Sequence, residues 1–440
     1  MTRLLKRYLQ IPLINKLIAA FILGSFFGML AWFGEVQATF SVHDILRTYV
    51  NPFGTIFIQM LKMVVIPIVF FSLIQGASSL PVSKLGQVGG KLMLLYLVSS
   101  FLAAFVGILF ALGMNPGDGT SSQWHHMVDV ESARTIASQP VASSGIFEII
   151  LNMFENPFSA LSNSNFLGLI VFAIMIGLGF SAIKAESNRK EVQSGLEVMF
   201  NLLEVINGAL YKMVTWIMEY APVGVLALTM VNFGLYGPAI VGPYLKVVSG
   251  IILGIFFMIF VVYGLLIKLF TKTSPLVFFR HIKEPMLTAF VTRSSAAALP
   301  ISMDAAVNKL NIDEEVASFA LPMGATINMD GVCVHLPMFA ILAANLFQIP
   351  LGPSELFVLV ISTVLAAIGT GGVPGGSLML LFIVLGGLGL SDKNTAVVIS
   401  LALGVNPILD MFETMNNVAG DLMCTYLVGG SASEAEQSVS

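Results

Sequence analysis

Long apolar runs alternate with short polar breaks along the chain, and the run lengths set the first expectation. A helix rises 1.5 Å per residue, so about 20 apolar residues cross a hydrocarbon core about 30 Å thick. Runs of that length lie near 12–34, 50–78, 88–113, 195–230, 240–270, 314–346 and 392–428, and each is predicted to be a spanning helix. The region 144–183 is as apolar but is cut by "NPFSALSNSN", which predicts a helix in pieces. Two further segments, 284–310 and 353–389, are punctured by "TRSSAAALP" and "GTGGVPGG". Small residues and prolines free backbone groups that lipid cannot satisfy, so such segments must be buried in protein or line a cavity.

The last run carries a polar stripe. In "ILDMFETMNNVAGD", Asp410, Glu413, Thr414, Asn417 and Asp421 fall at i, i+3, i+4, i+7 and i+11, on one helical face. A charge at the bilayer centre costs about 2.5–3.5 kcal/mol on insertion scales, so intramembrane charges point to function. The candidates are Arg293, Asp330, Asp410, Glu413 and Asp421. Asp330 and Asp421 keep company with Thr326, Asn328 and Asn417 and with Gly324, Gly331 and Gly420. Hard oxygen donors without a Cys/His cluster suit an alkali cation rather than zinc. Asp410 lacks that company and is suited to a substrate ammonium group. Plainer readings stand beside these: Asp330 or Asp421 pairing structurally with Arg293, Ser99 and Ser100 packing helices, and His335 as a packing histidine in an apolar stretch, with a proton carrier as its alternative.

Composition then fixes the class. Of 440 residues 56% are hydrophobic and 10% charged, against about 25% charged in soluble domains. The chain is expected to be an all-α polytopic membrane protein of a cell (inner) membrane, embedded in the lipid bilayer. A net charge of −4 gives nothing to attract nucleic acid. Cys333 and Cys424 lie in apolar runs and imply neither a disulfide framework nor a zinc site. The first apolar run is read as a retained helix, not a cleaved signal.

Lys and Arg set the orientation. Arg3, Lys6, Arg7 and Lys16 open the chain, and Lys84 with Lys91, Lys184 to Lys190, and Lys268 to Lys283 follow on alternate loops. The positive-inside rule places these, and both termini, in the cytoplasm. Residues 114–143 become an extracellular, Ser-rich loop, and 430–440 a disordered cytoplasmic tail.

Residues 284–428 repeat a pattern. An interrupted segment with its tip at Arg293–Pro300 precedes a helix broken at "NMDG", and a second with its tip at Gly369–Ser377 precedes the helix holding "NNVAGD". Paired interrupted segments in corresponding positions mark a transporter site between repeats. Charge places the first entering from inside and the second from outside, so that each tip gates one side of an occluded site. Gly371, Gly372, Gly375 and Gly376 flank Pro374 in the outer tip.

"TRSSAAALP", "GATINMDG", "GVPGG" and the pattern D…T..N…D of the last helix resemble the glutamate transporter family, the dicarboxylate/amino acid:cation symporters, over nearly the whole chain. The resemblance implies eight transmembrane helices plus two re-entrant helical hairpins, assembled as a homotrimer that works as an elevator. Residues 1–84 would hold scaffold helices 1–2, 85–113 transport-domain helix 3, 144–236 scaffold helices 4–5, and 237–429 the remaining transport domain. By position, Tyr96, Ser99, Ser100, Asn328 and Asp330 match one sodium site, and Gly324, Asn328, Asn417 and Asp421 a second. Thr326 with the backbone of Ala367, Ile368 and Thr370 matches a third. Ser294, Ser295, Val373, Ser377, Asp410, Thr414 and Asn417 match substrate contacts, joined by Arg293, Val332 and Glu413.

Glu413 stands where acidic-substrate carriers of the family place an Arg, Val332 where they often place a Thr, and Leu336 where animal glutamate carriers hold a proton-carrying Glu. In these respects the chain is similar to bacterial sodium/serine–threonine symporters, with Glu413 available to a hydroxyl or to Arg293. The implied function is a secondary active, sodium-coupled symport of small neutral amino acids such as serine, threonine or alanine. The alternative is a sodium- or proton-coupled symport of acidic amino acids or C4-dicarboxylates. Sodium is then a co-transported ion, not a catalytic cofactor, and the chain is not an enzyme: Ser294 and Ser295 have no His or Lys motif partner to make a nucleophile. A channel would need a ring of selectivity residues, and none is evident.

Overall fold

In the computed structural model, which describes residues 11–35, 41–78, 86–118, 151, 154–162, 166–368 and 375–437, every regular element is helical. The helices are α1 (Leu13–Glu35), α2 (Val42–Ser78), α3 (Gly86–Met114), α4 (Phe166–Glu186), α5 (Lys190–Tyr236) and α6 (241–270). Then follow α7 (Pro275–Thr292), α8 (Ser295–Asp304), α9 (Glu314–Ile327), α10 (Asp330–Phe347), α11 (Pro353–Ile368), α12 (Gly376–Gly387) and α13 (Asp392–Gln437). Seven helical stretches among the described residues are long and apolar enough to cross a membrane, one of them the 81-residue run Lys190–Phe270. That run turns at Gly237, whose φ of 54° favours glycine. The chain is an all-α, polytopic membrane protein.

The first interruption falls where the sequence puts it, with a narrower tip. Between α7 and α8 only Arg293 and Ser294 leave the helix. Arg293 is left-handed (φ 54°) and Ser294 caps α8, its Oγ accepting from the Ala297 N–H at 3.3 Å. Pro300, expected in the tip, lies inside α8, as Pro67, Pro222, Pro322, Pro337 and Pro407 lie inside α2, α5, α9, α10 and α13. Neighbouring helices let membrane helices tolerate proline, so a proline alone did not mark a break. The helix over "NMDG" does open, at Asn328 and Met329. Between α11 and α12, residues 369–374 lie outside the description, as does most of the loop expected at 114–143.

α13 runs on to Gln437, into the segment 430–440 expected as a cytoplasmic tail. Ala and Glu in "SASEAEQ" are strong helix formers, and they extend a helix already nucleated.

Packing divides the helices into two groups. α1, α2, α4 and α5 pack on one another, while α3, α6 and α7 to α12 gather around α10 and α13. α10 is buried throughout except for Asn345, so its polar residues face only protein. α1 instead leaves Ile22, Phe26, Phe27, Leu30 and Phe33 exposed, an apolar face for lipid.

Candidate functional site

The break between α9 and α10 supplies the centre of the site. A helix end leaves backbone groups without intrahelical partners, and here side chains from three other helices converge on it. Asp330, at the start of α10, accepts from the hydroxyls of Ser100 (2.9 Å) and Ser99 (3.3 Å) on α3 and from Tyr263 (2.7 Å) on α6. Asn328 accepts from Ser99 at 3.1 Å and donates to Asp421 Oδ1 on α13 at 3.0 Å. The amide oxygen of Asn417 accepts the Gly331 N–H at 2.7 Å. Tyr96 donates to the carbonyl of Ala320 at 2.9 Å, and Gly324 packs so tightly that a Cβ there would lie 2.7 Å from the Tyr96 hydroxyl.

The first two sodium sets expected from the sequence are thus brought into one continuous cluster of oxygens. Asp330 and Asp421 are 0% and 3% exposed. Among the described residues no Lys or Arg pairs with either, and Arg293 approaches Asp410 instead. Among the described residues these two buried carboxylates are met by neutral donors, and oxygen ligands of this kind are of the type that could hold a small cation such as sodium. In the third set, the Thr326 hydroxyl donates to Met323 of its own helix at 2.9 Å. Ala367 and Ile368 end α11, and Thr370 lies outside the described residues.

The substrate candidates lie along the same stripe of α13. Arg293 Nη1 stands 3.9 Å from Asp410 Oδ2, and the Gly375 N–H donates to the same oxygen at 3.2 Å. The Thr414 hydroxyl donates back to the Asp410 carbonyl at 2.7 Å. Ser295 is buried with its Oγ unpartnered, and Ser377 reaches Asn406 at 3.5 Å. Val332 is buried one residue beyond Gly331, and Val373 falls outside the described residues. A cavity beside Asp410 is lined by Phe57, Met218 and Val225 from one helix group and by Arg293, Asn406 and Asp410 from the other.

Glu413 does not pair with Arg293. Nδ1 of His335 on α10, a residue expected to be a packing histidine and here buried against Phe339, meets the Glu413 carboxylate. The reason lies at Gly331, one turn before His335. A Cβ there would lie 2.4 Å from the Glu413 carbonyl oxygen, so only glycine lets α10 come this close to α13.

Sequence reasoning missed Tyr263 and Asn406. Tyr263 is a lone phenol in an apolar run, a signal that could have been weighed. Asn406 stands one turn before Asp410 on the stripe.

The sodium:dicarboxylate symporter family matches residues 13–431, from α1 into the last helix. The chain belongs to this family. Within it, the proton/sodium-glutamate symport protein of Bacillus caldotenax is 30% identical over 397 residues, covering 89% of this chain and 90% of that protein. A serine/threonine transporter of Bifidobacterium adolescentis is 30% identical over 378 residues, covering 85% and 82%. The human neutral amino acid transporter B(0) is 30% identical over 411 residues, covering 86% and 72%. As a member of the sodium:dicarboxylate symporter family the chain is a secondary active carrier of amino acids or dicarboxylates and not an enzyme. Sodium is a co-transported ion in this family.

Proposed function

We propose that this carrier couples the inward sodium gradient to uptake of small neutral amino acids such as serine, threonine and alanine. The observation that carries this reading is Glu413: a buried carboxylate stands one turn from Asp410 on the substrate stripe, where a second substrate carboxylate would need a cation. A like charge there disfavours glutamate and aspartate. In this reading Asp410 holds the α-ammonium group, Ser294, Ser295, Ser377, Thr414 and Asn417 hold the rest of the amino acid backbone, and Val332 and Val373 shape the pocket. One sodium sits among Tyr96, Ser99, Ser100, Asn328 and Asp330, a second at Gly324, Asn328, Asn417 and Asp421, and a third at Thr326 with Ala367, Ile368 and Thr370.

The second reading is acidic or dicarboxylate transport. The comparisons lean this way, through the family's own description and the glutamate symport protein. In the site it would rest on Arg293, freed from Asp410 when a substrate ammonium takes its place. Sodium-gradient-driven uptake of labelled serine, aspartate and succinate into proteoliposomes separates the two. A preference for aspartate over serine overturns the neutral reading.

The two helix groups support an elevator, with the first as scaffold and the second as transport domain, in the family arrangement of eight transmembrane helices and two re-entrant hairpins. We place it in the cell inner membrane with both termini cytoplasmic. A homotrimer is supported by α5. Glu197, Glu204, Lys212 and Glu219 are exposed at intervals of seven or eight residues, a charged stripe about 33 Å long at 1.5 Å per residue. Such charges do not face lipid. A second copy of the chain would cover them.

A further inference from the structure

His335 and Glu413 are 0% and 1% exposed, and among the described residues the His335 ring meets the Glu413 carboxylate and no other acidic side chain. The contact is close, yet it is not an aligned hydrogen bond: both imidazole nitrogens and both carboxylate oxygens lack a hydrogen-bond partner. Buried polar atoms nearly always have partners, so a pair left this open calls for an explanation. A purely structural ion pair is a weak one, because apolar residues of similar volume often hold helices together as well or better. Position adds to the argument. Glu413 lies between Asp410 and Thr414 on the stripe, and Gly331 removes the side chain that would otherwise separate α10 from it.

We infer that His335 is a positioning residue for substrate selection: it holds Glu413 as half of a net-neutral pair whose remaining polar atoms recognise a neutral, hydrogen-bonding substrate side chain. This deepens the neutral-substrate reading and rests on it. A carboxylate with an imidazole beside it presents an acceptor on one side and a ring N–H donor on the other. A substrate hydroxyl can both donate and accept, and so can an amide. A second carboxylate only accepts, and it would bring a like charge against Glu413. Arg293 does not serve in place of His335, since its guanidinium approaches Asp410.

The test is a double-mutant cycle in the full chain, reconstituted in proteoliposomes, with labelled serine and labelled aspartate as probes. His335→Phe leaves Glu413 uncompensated and should raise the serine KM about tenfold or more, with the sodium concentration for half-maximal uptake unchanged. His335→Gln, which keeps a donor but supplies no charge, should raise the serine KM less than His335→Phe does. Adding Glu413→Gln to His335→Phe should recover most of the lost serine affinity, because a neutral amide needs no compensation. A wild-type serine KM in His335→Phe overturns the inference, and so does additivity of the two substitutions. If His335→Phe does not fold by size exclusion, the double variant decides: serine uptake upholds the pairing, and a folded double variant without uptake, or none that folds, overturns it. A wild type that prefers aspartate sinks the neutral-substrate reading alone. The cycle measured with aspartate then still reads the pair, coupling upholding the positioning role and additivity overturning it.

Discussion

Asn328 Nδ2 donates to Asp421 Oδ1 across 3.0 Å, and Asn328 Oδ1 accepts from Ser99 Oγ at 3.1 Å. One amide therefore ties the break between α9 and α10 to α13 on one side and to α3 on the other. The bond places Asp421, the carboxylate of the second proposed sodium site, without neutralising it.

Removing that charge should remove the ion. Asp421→Asn preserves the shape of the side chain but leaves only neutral oxygens around it. Sodium-driven uptake is expected to fall below detection, and the sodium concentration needed for any residual binding to rise about a hundredfold, as for loss of a partner in a buried charge pair. A sodium titration of Asp421→Asn that overlays the wild type would remove Asp421 from the ion site.

Gly324 tests the packing of the same site from the opposite side. A Cβ at this position would lie 2.6 Å from Asp421 Oδ1 and 2.7 Å from the Tyr96 hydroxyl. Gly324→Ala should displace one of them, at a stability cost of about 1–3 kcal/mol typical of overpacking, and weaken sodium activation about tenfold or more. Gly34→Ala, with nothing within 4 Å of the added atom, is the control. Unchanged sodium activation in Gly324→Ala would show that the cluster tolerates a shift, and the proposed coordination would then be wrong in detail.

How far the sequence revealed this site depended on what kind of contact built it. The stripe from Asp410 to Asp421 was legible because helical periodicity alone puts those residues on one face, and the break at "NMDG" because Asn328 and Asp330 interrupt an apolar run. Most spans were legible from length. Contacts between helices distant in sequence were not. Nothing in the spacing says that Tyr263 on α6 donates to Asp330, or that His335 rather than Arg293 meets Glu413. The approach of α10 to α13 is set by Gly331, whose role appears only when the partner helix is in place. Prolines misled at Pro300, because a membrane helix can hold a proline when neighbours satisfy the freed carbonyl.

Lys212 is the basic member of the exposed stripe on α5, between Glu204 and Glu219. If copies of the chain meet there, Lys212 neutralises acidic groups across the interface, and reversing it concentrates like charge. Lys212→Glu is expected to shift the detergent-purified protein from trimer toward monomer, read by light scattering after size exclusion. A trimer of unchanged mass and thermal stability would place the interface elsewhere.

Asp410 gives the sharpest test of what the substrate must carry. Asp410 is 5% exposed, and Arg293 stands at 3.9 Å, longer than a direct charge-assisted hydrogen bond. The Gly375 N–H donates to the same oxygen. A buried carboxylate held this loosely can exchange partners, and a substrate ammonium supplies a closer one. Asp410→Asn would then strand the ammonium in a buried site, which costs about 3–5 kcal/mol when one member of a buried pair is removed. Serine affinity should fall by more than about a hundredfold. A dicarboxylate such as succinate has no ammonium group and should lose far less, or gain, because Arg293 would no longer be engaged by Asp410. The measurement is competition by unlabelled serine, alanine, aspartate and succinate against labelled substrate in wild type and Asp410→Asn. Equal loss for succinate and for the amino acids would mean that Asp410 shapes the pocket through Arg293 and Gly375 rather than by holding the ammonium.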